Sequence, residues 1–218
     1  MRVVLAAAVA LGALGQEKVF FEEKLPKKKL SEGWTWVRED PKAWRIADGA
    51  IEIRALPGTI KEKTNDARNL LLRKAPAAGT VDDPFAIEAT VKNAPGQPGE
   101  QAGVILHQDD DTYVKLVREN KGGKTFVVMT REWKGEEQIW AERELGGEAH
   151  GLRLLHFGNK VQAEVKMGSP PEWTPAEYGE PPFTGPVKAG LVAYGAPAAA
   201  ERWAKFTDVR IFQPKAQR

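Results

Sequence analysis

A predicted hairpin at Gln101–Glu119 places several side chains that could do chemistry on one face. It reads as two strands of alternating apolar and polar residues joined by the turn Asp109–Asp111, and cross-strand partners share one face of a sheet. Its polar face, counted back from Gln108 opposite Thr112, pairs His107 with Tyr113, Ile105 with Lys115, Gly103 with Val117 and Gln101 with Glu119. Amide, ammonium and phenol groups on one face can hydrogen-bond and stack with a polyhydroxylated ligand.

Glu88 adds a carboxylate to this set. In the segment Phe85–Lys92 it alternates with the apolar positions, so we expect it to face the same side as Gln101 and Lys115. Glycoside hydrolysis needs two carboxyls about 5–10 Å apart, and Glu119 is a candidate for the second. The glutamates between positions 132 and 144 surround a hairpin tip, where exposed glutamate is ordinary. Binding is therefore favoured over catalysis, and a glycoside hydrolase or lyase that uses Glu88 is the alternative.

Three of the seven tryptophans are candidates for the rim of such a site. Trp133 and Trp140 flank the turn Lys134–Glu137, and Trp173 lies in a proline-rich segment. Flat aromatic rings are suited to the apolar faces of sugars, but large aromatics also dominate cores. Packing and binding remain equal alternatives for each of the three.

Metal, cofactor and nucleophile signals are weak. The chain has no cysteine, and its three histidines do not form a close-spaced ligand pair, so we expect no zinc site and no cofactor. Asp109–Asp111 is interpreted as a polar turn, because aspartate is a common turn former. A structural calcium ion at this turn or near Asp208 is the alternative. The sequence contains no Gly-x-Ser-x-Gly elbow and no P-loop.

The charge balance and the first residues limit the partners and the location. The chain has 32 basic and 30 acidic residues and a net charge of +2, which argues against a nucleic-acid binder. Residues 1–15 combine a basic start, the apolar run Val3–Leu14 and small residues at the end, the pattern of a signal peptide. That run is shorter than the roughly 20 residues a membrane span requires. We expect a secreted or periplasmic protein whose single domain is residues 16–218, without a membrane span.

Alternating segments separated by turn residues predict an all-β, antiparallel sandwich or barrel. Two segments, Leu56–Arg68 and Gly168–Pro186, are predicted to be long loops, the second an ordered cover packed on the domain. The strand candidates outside the hairpin are Lys18–Lys24, Thr35–Arg38, Trp44–Ala47, Ala50–Ala55, Asn69–Arg73, Phe85–Lys92, Thr125–Glu132, Gln138–Glu144, Gly151–Phe157, Lys160–Met167, Val187–Tyr194 and Trp203–Phe212.

Several of these segments together resemble a known superfamily. They are Gly33–Trp36 with Trp44, Ala50–Ile53, Asn69–Leu72, Phe85–Glu88, Glu100–Gly103, Asp111–Leu116 and the ending Ala204–Ile211. The chain resembles concanavalin A-like lectin and glucanase domains, in particular the C-terminal module of β-xylosidases and enolase-regulator-like proteins. The resemblance implies a two-sheet jelly-roll sandwich whose concave face binds or cleaves carbohydrate. The chain lacks the catalytic propeller of the β-xylosidases and the Glu-x-Asp-x-Glu strand of the glucanases.

The leading hypothesis is an exported protein that binds an oligo- or polysaccharide on its concave sheet. Tyr113 would stack on the sugar, Lys115 would donate hydrogen bonds, and Gly103 would leave room for the ligand. A structural or envelope interaction domain, with a flat or filled concave face, is a further alternative. The expected ligand-binding residues are Glu88, Gln101, His107, Tyr113 and Lys115, with Trp133, Trp140 and Trp173 at the rim.

Overall fold

Strands form all the regular structure of the residues described by the computed structural model, which are 17–25, 28–76, 83–167, 171–181 and 183–214. The strands are β1 (Lys18–Glu22), β2 (Trp34–Val37), β3 (Trp44–Ala47), β4 (Ala50–Arg54), β5 (Leu70–Lys74), β6 (Phe85–Lys92), β7 (Gln101–Asp109), β8 (Thr112–Lys121), β9 (Lys124–Trp133), β10 (Glu136–Glu144), β11 (Ala149–Phe157), β12 (Lys160–Met167), β13 (Glu172–Gly179), β14 (Lys188–Tyr194) and β15 (Trp203–Gln213).

The strands form two antiparallel sheets. One has eight strands in the order β13-β12-β11-β6-β15-β4-β3, with β1 paired to β15. The other has seven strands in the order β10-β9-β8-β7-β14-β5-β2. The predicted two-sheet, all-β sandwich is confirmed.

The main hydrophobic core lies between the sheets. Alternate residues of each strand point inward, so Ile87 and Phe206 from the eight-stranded sheet belong to the same buried cluster as Leu116 and Leu191 from the seven-stranded sheet. A second cluster lies on the other face of the seven-stranded sheet, where Ile60 contributes from the loop that follows β4. That loop therefore covers part of the outer face of the seven-stranded sheet.

The hairpin of β7 and β8 has the predicted register, from Gln101 opposite Glu119 to His107 opposite Tyr113. The predicted pairing of Gln108 with Thr112 is wrong. The register shifts after His107 and Asp109 pairs with Thr112, so the turn itself consists of two residues. The side-chain oxygen of Gln108 instead accepts hydrogen bonds from the backbone N–H groups of residues 184 and 185, both at 2.8 Å.

The segment Gly168–Pro186 was predicted to be a loop, and this is wrong for its central part. Residues Glu172–Gly179 form β13, which pairs with β12 at the edge of the eight-stranded sheet. Pro175 weakens the sequence signal because proline cannot donate to a sheet ladder, but it is tolerated on an edge strand. Further along the segment, residues 184 and 185 bond to Gln108 of the hairpin, and Phe183 packs against the main core.

The predicted signal peptide, residues 1–15, lies outside the described residues. Within the described part of the chain, no helix is long and apolar enough to span a bilayer.

Candidate functional site

Glu88 does not lie on the face that carries Lys115. Strand β6 belongs to the eight-stranded sheet, whereas Lys115 is on β8 of the seven-stranded sheet. The expectation that the two side chains share a face is therefore wrong. Alternation along one strand gives the direction of a side chain relative to its own sheet and does not say which sheet the strand joins.

An ion-pair ladder holds Glu88 on the outer face of the eight-stranded sheet. Its carboxylate lies 2.6 Å from Nη2 of Arg153 and accepts a second bond from Nε of Arg210. Arg153 also contacts Glu164 at 2.7 Å and stacks on Trp173, with 3.9 Å from its guanidinium carbon to the ring centroid. Glu88 and Trp173 thus both contact Arg153, on a different sheet from Lys115.

Trp133 and Trp140 also lie apart from Lys115. Trp133 ends β9 opposite Thr112, is 43% exposed and has the Lys134 ammonium 4.7 Å from its ring centroid. Trp140 packs against the main core and against Gly179, beside a cavity of about 350 Å³ between β10 and β13. The eight predicted site residues are therefore not gathered at one place.

Tyr113 is fully buried and cannot stack on a ligand in this structure, so the stacking role assigned to it is wrong. Its hydroxyl donates to the Glu132 carboxylate at 2.8 Å and lies 3.2 Å from the Ile60 carbonyl oxygen. Burial raises the pKa of Tyr113. The loop containing Ile60 lies over this part of the seven-stranded sheet and covers Tyr113.

His107 is buried beside the hairpin turn. Its Nε2 lies 3.2 Å from the Asp110 carboxylate, which also accepts from Nη1 of Arg38 at 2.5 Å. The hydrogen bond with His107 and the contact with Arg38, against the opposing effect of burial, lower the pKa of Asp110 to about 2. These contacts hold the turn in place.

Gln101 and Lys115 are the two predicted site residues that the structure brings together in an open cavity. We call this cavity the polar groove. Its volume is about 390 Å³, within the range of small-ligand sites. Its lining residues are Gly58, Thr59 and Lys61 from the loop after β4, Gly99 and Gly195 from two turns, and Gln101, Lys115, Glu119, Lys121, Val128, Thr130, Glu137 and Ile139 from β7 to β10.

A buried chain of hydrogen bonds forms the floor of the polar groove. The ammonium of Lys115, only 2% exposed, donates to the Tyr194 hydroxyl at 2.9 Å, which donates to the side-chain oxygen of Gln101 at 2.9 Å. Lys115 also lies 3.4 Å from the Glu137 carboxylate. Burial lowers the pKa of Lys115, but Tyr194 and Glu137 outweigh burial, so the pKa is raised and the ammonium stays charged.

Two carboxylates stand above this floor. Glu137 bridges Lys115 and Lys61, whose ammonium lies 3.2 Å away on the loop side. Glu119 lines the groove opposite Gln101. Burial raises the pKa of the Glu119 carboxyl, although Lys115 and Lys121 oppose that shift.

The predicted purpose of Gly103 is wrong. A methyl group on Gly103 would lie 2.0 Å from the Leu116 carbonyl oxygen and 2.6 Å from the Val117 Cα. The missing side chain therefore makes room for the backbone of β8 and not for a ligand.

Sequence reasoning missed Thr130, Glu137, Lys61 and Tyr194. A usable signal existed for Thr130, because the predicted strand over residues 125–132 places it opposite Lys115 once β9 is paired with β8. Glu137 was assigned to an exposed hairpin tip, and it instead points toward Lys115 from the first residues of β10. No local pattern reveals Lys61, which reaches the groove only through the path of its loop.

No group of three or more His, Asp or Glu side chains among the described residues is arranged to hold a metal ion. The three turn aspartates make separate contacts. Asp109 accepts the Asp111 N–H at 3.0 Å, Asp110 binds His107 and Arg38, and Asp111 accepts from Asn65 at 3.0 Å. Asp208 accepts from the Thr90 hydroxyl at 2.8 Å.

The two-sheet sandwich, with a polar groove on the outer face of one sheet, defines a concanavalin A-like domain. Sequence comparison matches residues 23–211 to the Beta xylosidase C-terminal Concanavalin A-like domain family, and the chain belongs to that family. The resemblance inferred from the sequence is confirmed. No curated protein matches the chain.

Solved structures show the same fold. The GH43 protein BlXynB from Bacillus licheniformis superposes with a TM-score of 0.75 at 15% identity, over 90% of this chain and 39% of that one. Xylan beta-1,4-xylosidase from Bacillus halodurans C-125 gives 0.72 at 16% identity, over 99% and 42%. This chain thus spans about two fifths of each GH43 protein. A functionally unknown protein from Saccharomyces cerevisiae gives 0.68 at 14% identity, over 84% and 98%.

Proposed function

We propose that this protein binds an oligo- or polysaccharide in the polar groove. The observation that carries the proposal is the buried chain of Lys115, Tyr194 and Gln101, which opens into a cavity of suitable size. A charged amine buried beneath a cavity requires fixed partners, and such pre-positioned polar groups are how small-ligand sites gain orientation and specificity. Membership of a family named for part of the β-xylosidases supports a carbohydrate ligand.

The groove also offers apolar contact, although not from an aromatic ring. Ile139 is 47% exposed on β10, and Val128 lines the neighbouring strand. The backbone of Gly99 and Gly195 forms a wall without side chains. The C–H face of a sugar can pack on the aliphatic surface while its hydroxyls reach Lys115 and Thr130.

Isothermal titration calorimetry with xylohexaose, cellohexaose, arabinohexaose and galactohexaose tests the proposal. We expect saturable binding of at least one of them. Lys115→Met removes the central donor, and Thr130→Val removes a hydroxyl at nearly constant shape. Each variant should weaken binding by about tenfold, which corresponds to one lost buried hydrogen bond.

Glu144→Gln is the matched control, because Glu144 on β10 pairs with Lys124 on β9, far from the β9–β10 turn, and does not line the groove. Its affinity should equal that of the wild type, and melting curves of all variants confirm folding. A complete lack of binding across the panel, or equal affinity in the control and both groove variants, contradicts the proposal. The first result would favour the structural or envelope interaction domain.

Hydrolysis is the second candidate function. Glu119 and Glu137 both line the groove, and the pKa of Glu119 is raised by burial, as in a carboxyl that donates a proton to a leaving group. Prolonged incubation with the same oligosaccharides and chromatography of the products tests it. Cleavage that Glu119→Gln abolishes would support it. Binding without cleavage would leave the groove as a recognition site.

Export is part of the proposal and is supported by the leader-like residues 1–15. Expression of the full chain in a bacterium, fractionation and N-terminal sequencing test it. Processed protein in the periplasm or medium is expected, and unprocessed protein confined to the cytoplasm would contradict it.

A further inference from the structure

We infer that the polar groove selects uncharged sugars and rejects acidic ones, with Glu119 as the residue that sets this preference. The inference rests on the proposed function and concerns the ligand class of the same site. Two independent features of the groove carry it, the distribution of charge and the polarity of the hydrogen-bonding groups.

The first feature is that the lysines of the groove are paired with carboxylates, whereas one carboxylate of the groove has no paired cation. Each of the three ammonium groups lining the groove already has a carboxylate partner. The pairs are Lys115 with Glu137 at 3.4 Å, Lys61 with Glu137 at 3.2 Å and with Glu62 at 3.7 Å, and Lys121 with Glu142.

Glu119 lines the same groove and, among the described residues, has no hydrogen bond or ion pair. The unpaired charge in the groove is therefore negative. A sugar carboxylate placed here would meet Glu119 without gaining a free cation, and like charges at close range in a partly buried site repel strongly.

The second feature is that two carboxylates, Glu119 and Glu137, line the groove. Ionised carboxylates only accept hydrogen bonds, so Glu119 and Glu137 require a ligand that donates. Lys115 has already committed one N–H to Tyr194 and another toward Glu137. Sugar hydroxyls can donate and accept, whereas a uronate carboxylate only accepts. Both features point to the same ligand class.

Matched pairs of oligosaccharides test the inference, because the two members of each pair share a backbone and differ in charge. The probes are cellohexaose against its C6-oxidised hexa-uronate, and methyl-esterified hexagalacturonate against free hexagalacturonate. Calorimetry at low salt measures all four. We expect the uncharged member to bind at least about tenfold more tightly in any pair that binds.

Variants then assign the preference to one residue. Glu119→Gln keeps the shape of the side chain and removes the charge, so the preference should fall to about threefold or less. Glu144→Gln changes the same residue type on the neighbouring hairpin, outside the groove, and should leave the preference unchanged. Adding salt to the wild type should narrow the preference without any substitution, which covers the case of a variant that fails to fold.

The outcomes separate the two proposals. If no probe binds, nor any oligosaccharide of the first panel, the proposed function itself fails. If an acidic member binds as tightly as its uncharged partner, the groove binds sugars and the inference on charge is overturned. If the preference exists but persists in folded Glu119→Gln, the assignment to Glu119 is overturned.

Discussion

Replacing Glu88 should lower the stability of the fold without changing the affinity for an oligosaccharide. The Glu88 side chain is 9% exposed and accepts from Arg153 Nε at 2.8 Å, from Arg153 Nη2 at 2.6 Å and from Arg210 Nε. Glu88→Ala would leave two guanidinium groups on the eight-stranded sheet without this shared partner. Arg153 would keep Glu164 and its stacking on Trp173, and Arg210 would keep Glu17.

The magnitude follows from this partial loss. Breaking a buried ion pair by removing one partner costs about 3–5 kcal/mol. Because both arginines keep a second carboxylate, we expect the lower end, about 3 kcal/mol. For a domain of this size, each kcal/mol corresponds to about 2–4 °C in Tm, so Tm should fall by about 6–12 °C. The exposed pair Lys124–Glu144 gives the control, and Glu144→Ala should cost less than about 0.5 kcal/mol.

Urea unfolding at neutral pH measures these costs, and calorimetry with the best oligosaccharide of the panel measures binding. We expect Glu88→Ala to lose stability and to keep the wild-type affinity at a temperature where it is folded. A double-mutant cycle of Glu88→Ala and Arg153→Ala, measured by the free energy of unfolding, should give a coupling energy of about 2 kcal/mol. A stability loss below about 1 kcal/mol would refute the role of the ladder. A loss of affinity beyond about threefold in the folded variant, about 0.65 kcal/mol, would place Glu88 at the ligand.

Two further predictions concern the hairpin. Gly103→Ala should lower the free energy of unfolding in urea by about 3 kcal/mol, because its methyl group would lie 2.0 Å from the Leu116 carbonyl oxygen. The methyl group of Gly146→Ala would meet nothing within 4 Å, so this control should be nearly neutral. Equal costs for the two variants would contradict the packing of β7 against β8. The pKa of Asp110, lowered to about 2 by His107 and Arg38, makes its carboxylate stabilising above about pH 4 and progressively less so as pH falls through about 2. Asp110→Asn should therefore lower Tm at pH 5, and the difference from the wild type should shrink toward pH 2 and vanish below it; a constant difference over this range would contradict the assignment.

The register of the hairpin could be read from the sequence because alternation and a short turn over-determine it. Val104, Leu106 and Leu116 are buried in the main core, so a slip by one residue would turn all of them out of that core. The end of the hairpin was less determined. Gln108 leaves the ladder because its side chain bonds to residues 184 and 185, a contact that nothing near Gln108 in the sequence specifies.

The site was harder to predict because it depends on which strands become neighbours. Gln101 and Lys115 share a face through one short turn, whereas Glu88 has the same alternation and lies on the other sheet. Strand β6 precedes β7 in the chain, yet it pairs with β11 and β15. The rule of alternation is local, and the choice between sheets is made by contacts far away in sequence.

The loop after β4 decides which part of the polar face remains available. Where Ile60 enters the second hydrophobic cluster, Tyr113 is covered and its hydroxyl is tied to Glu132. One residue later, Lys61 points toward Glu137 and forms the wall of the groove. The same loop thus closes the aromatic half of the predicted platform and borders the charged half. Recognition in the groove should therefore depend on hydrogen bonding and charge more than on aromatic stacking. A preference for uncharged sugars would distinguish this site from a sugar-binding platform of aromatic rings.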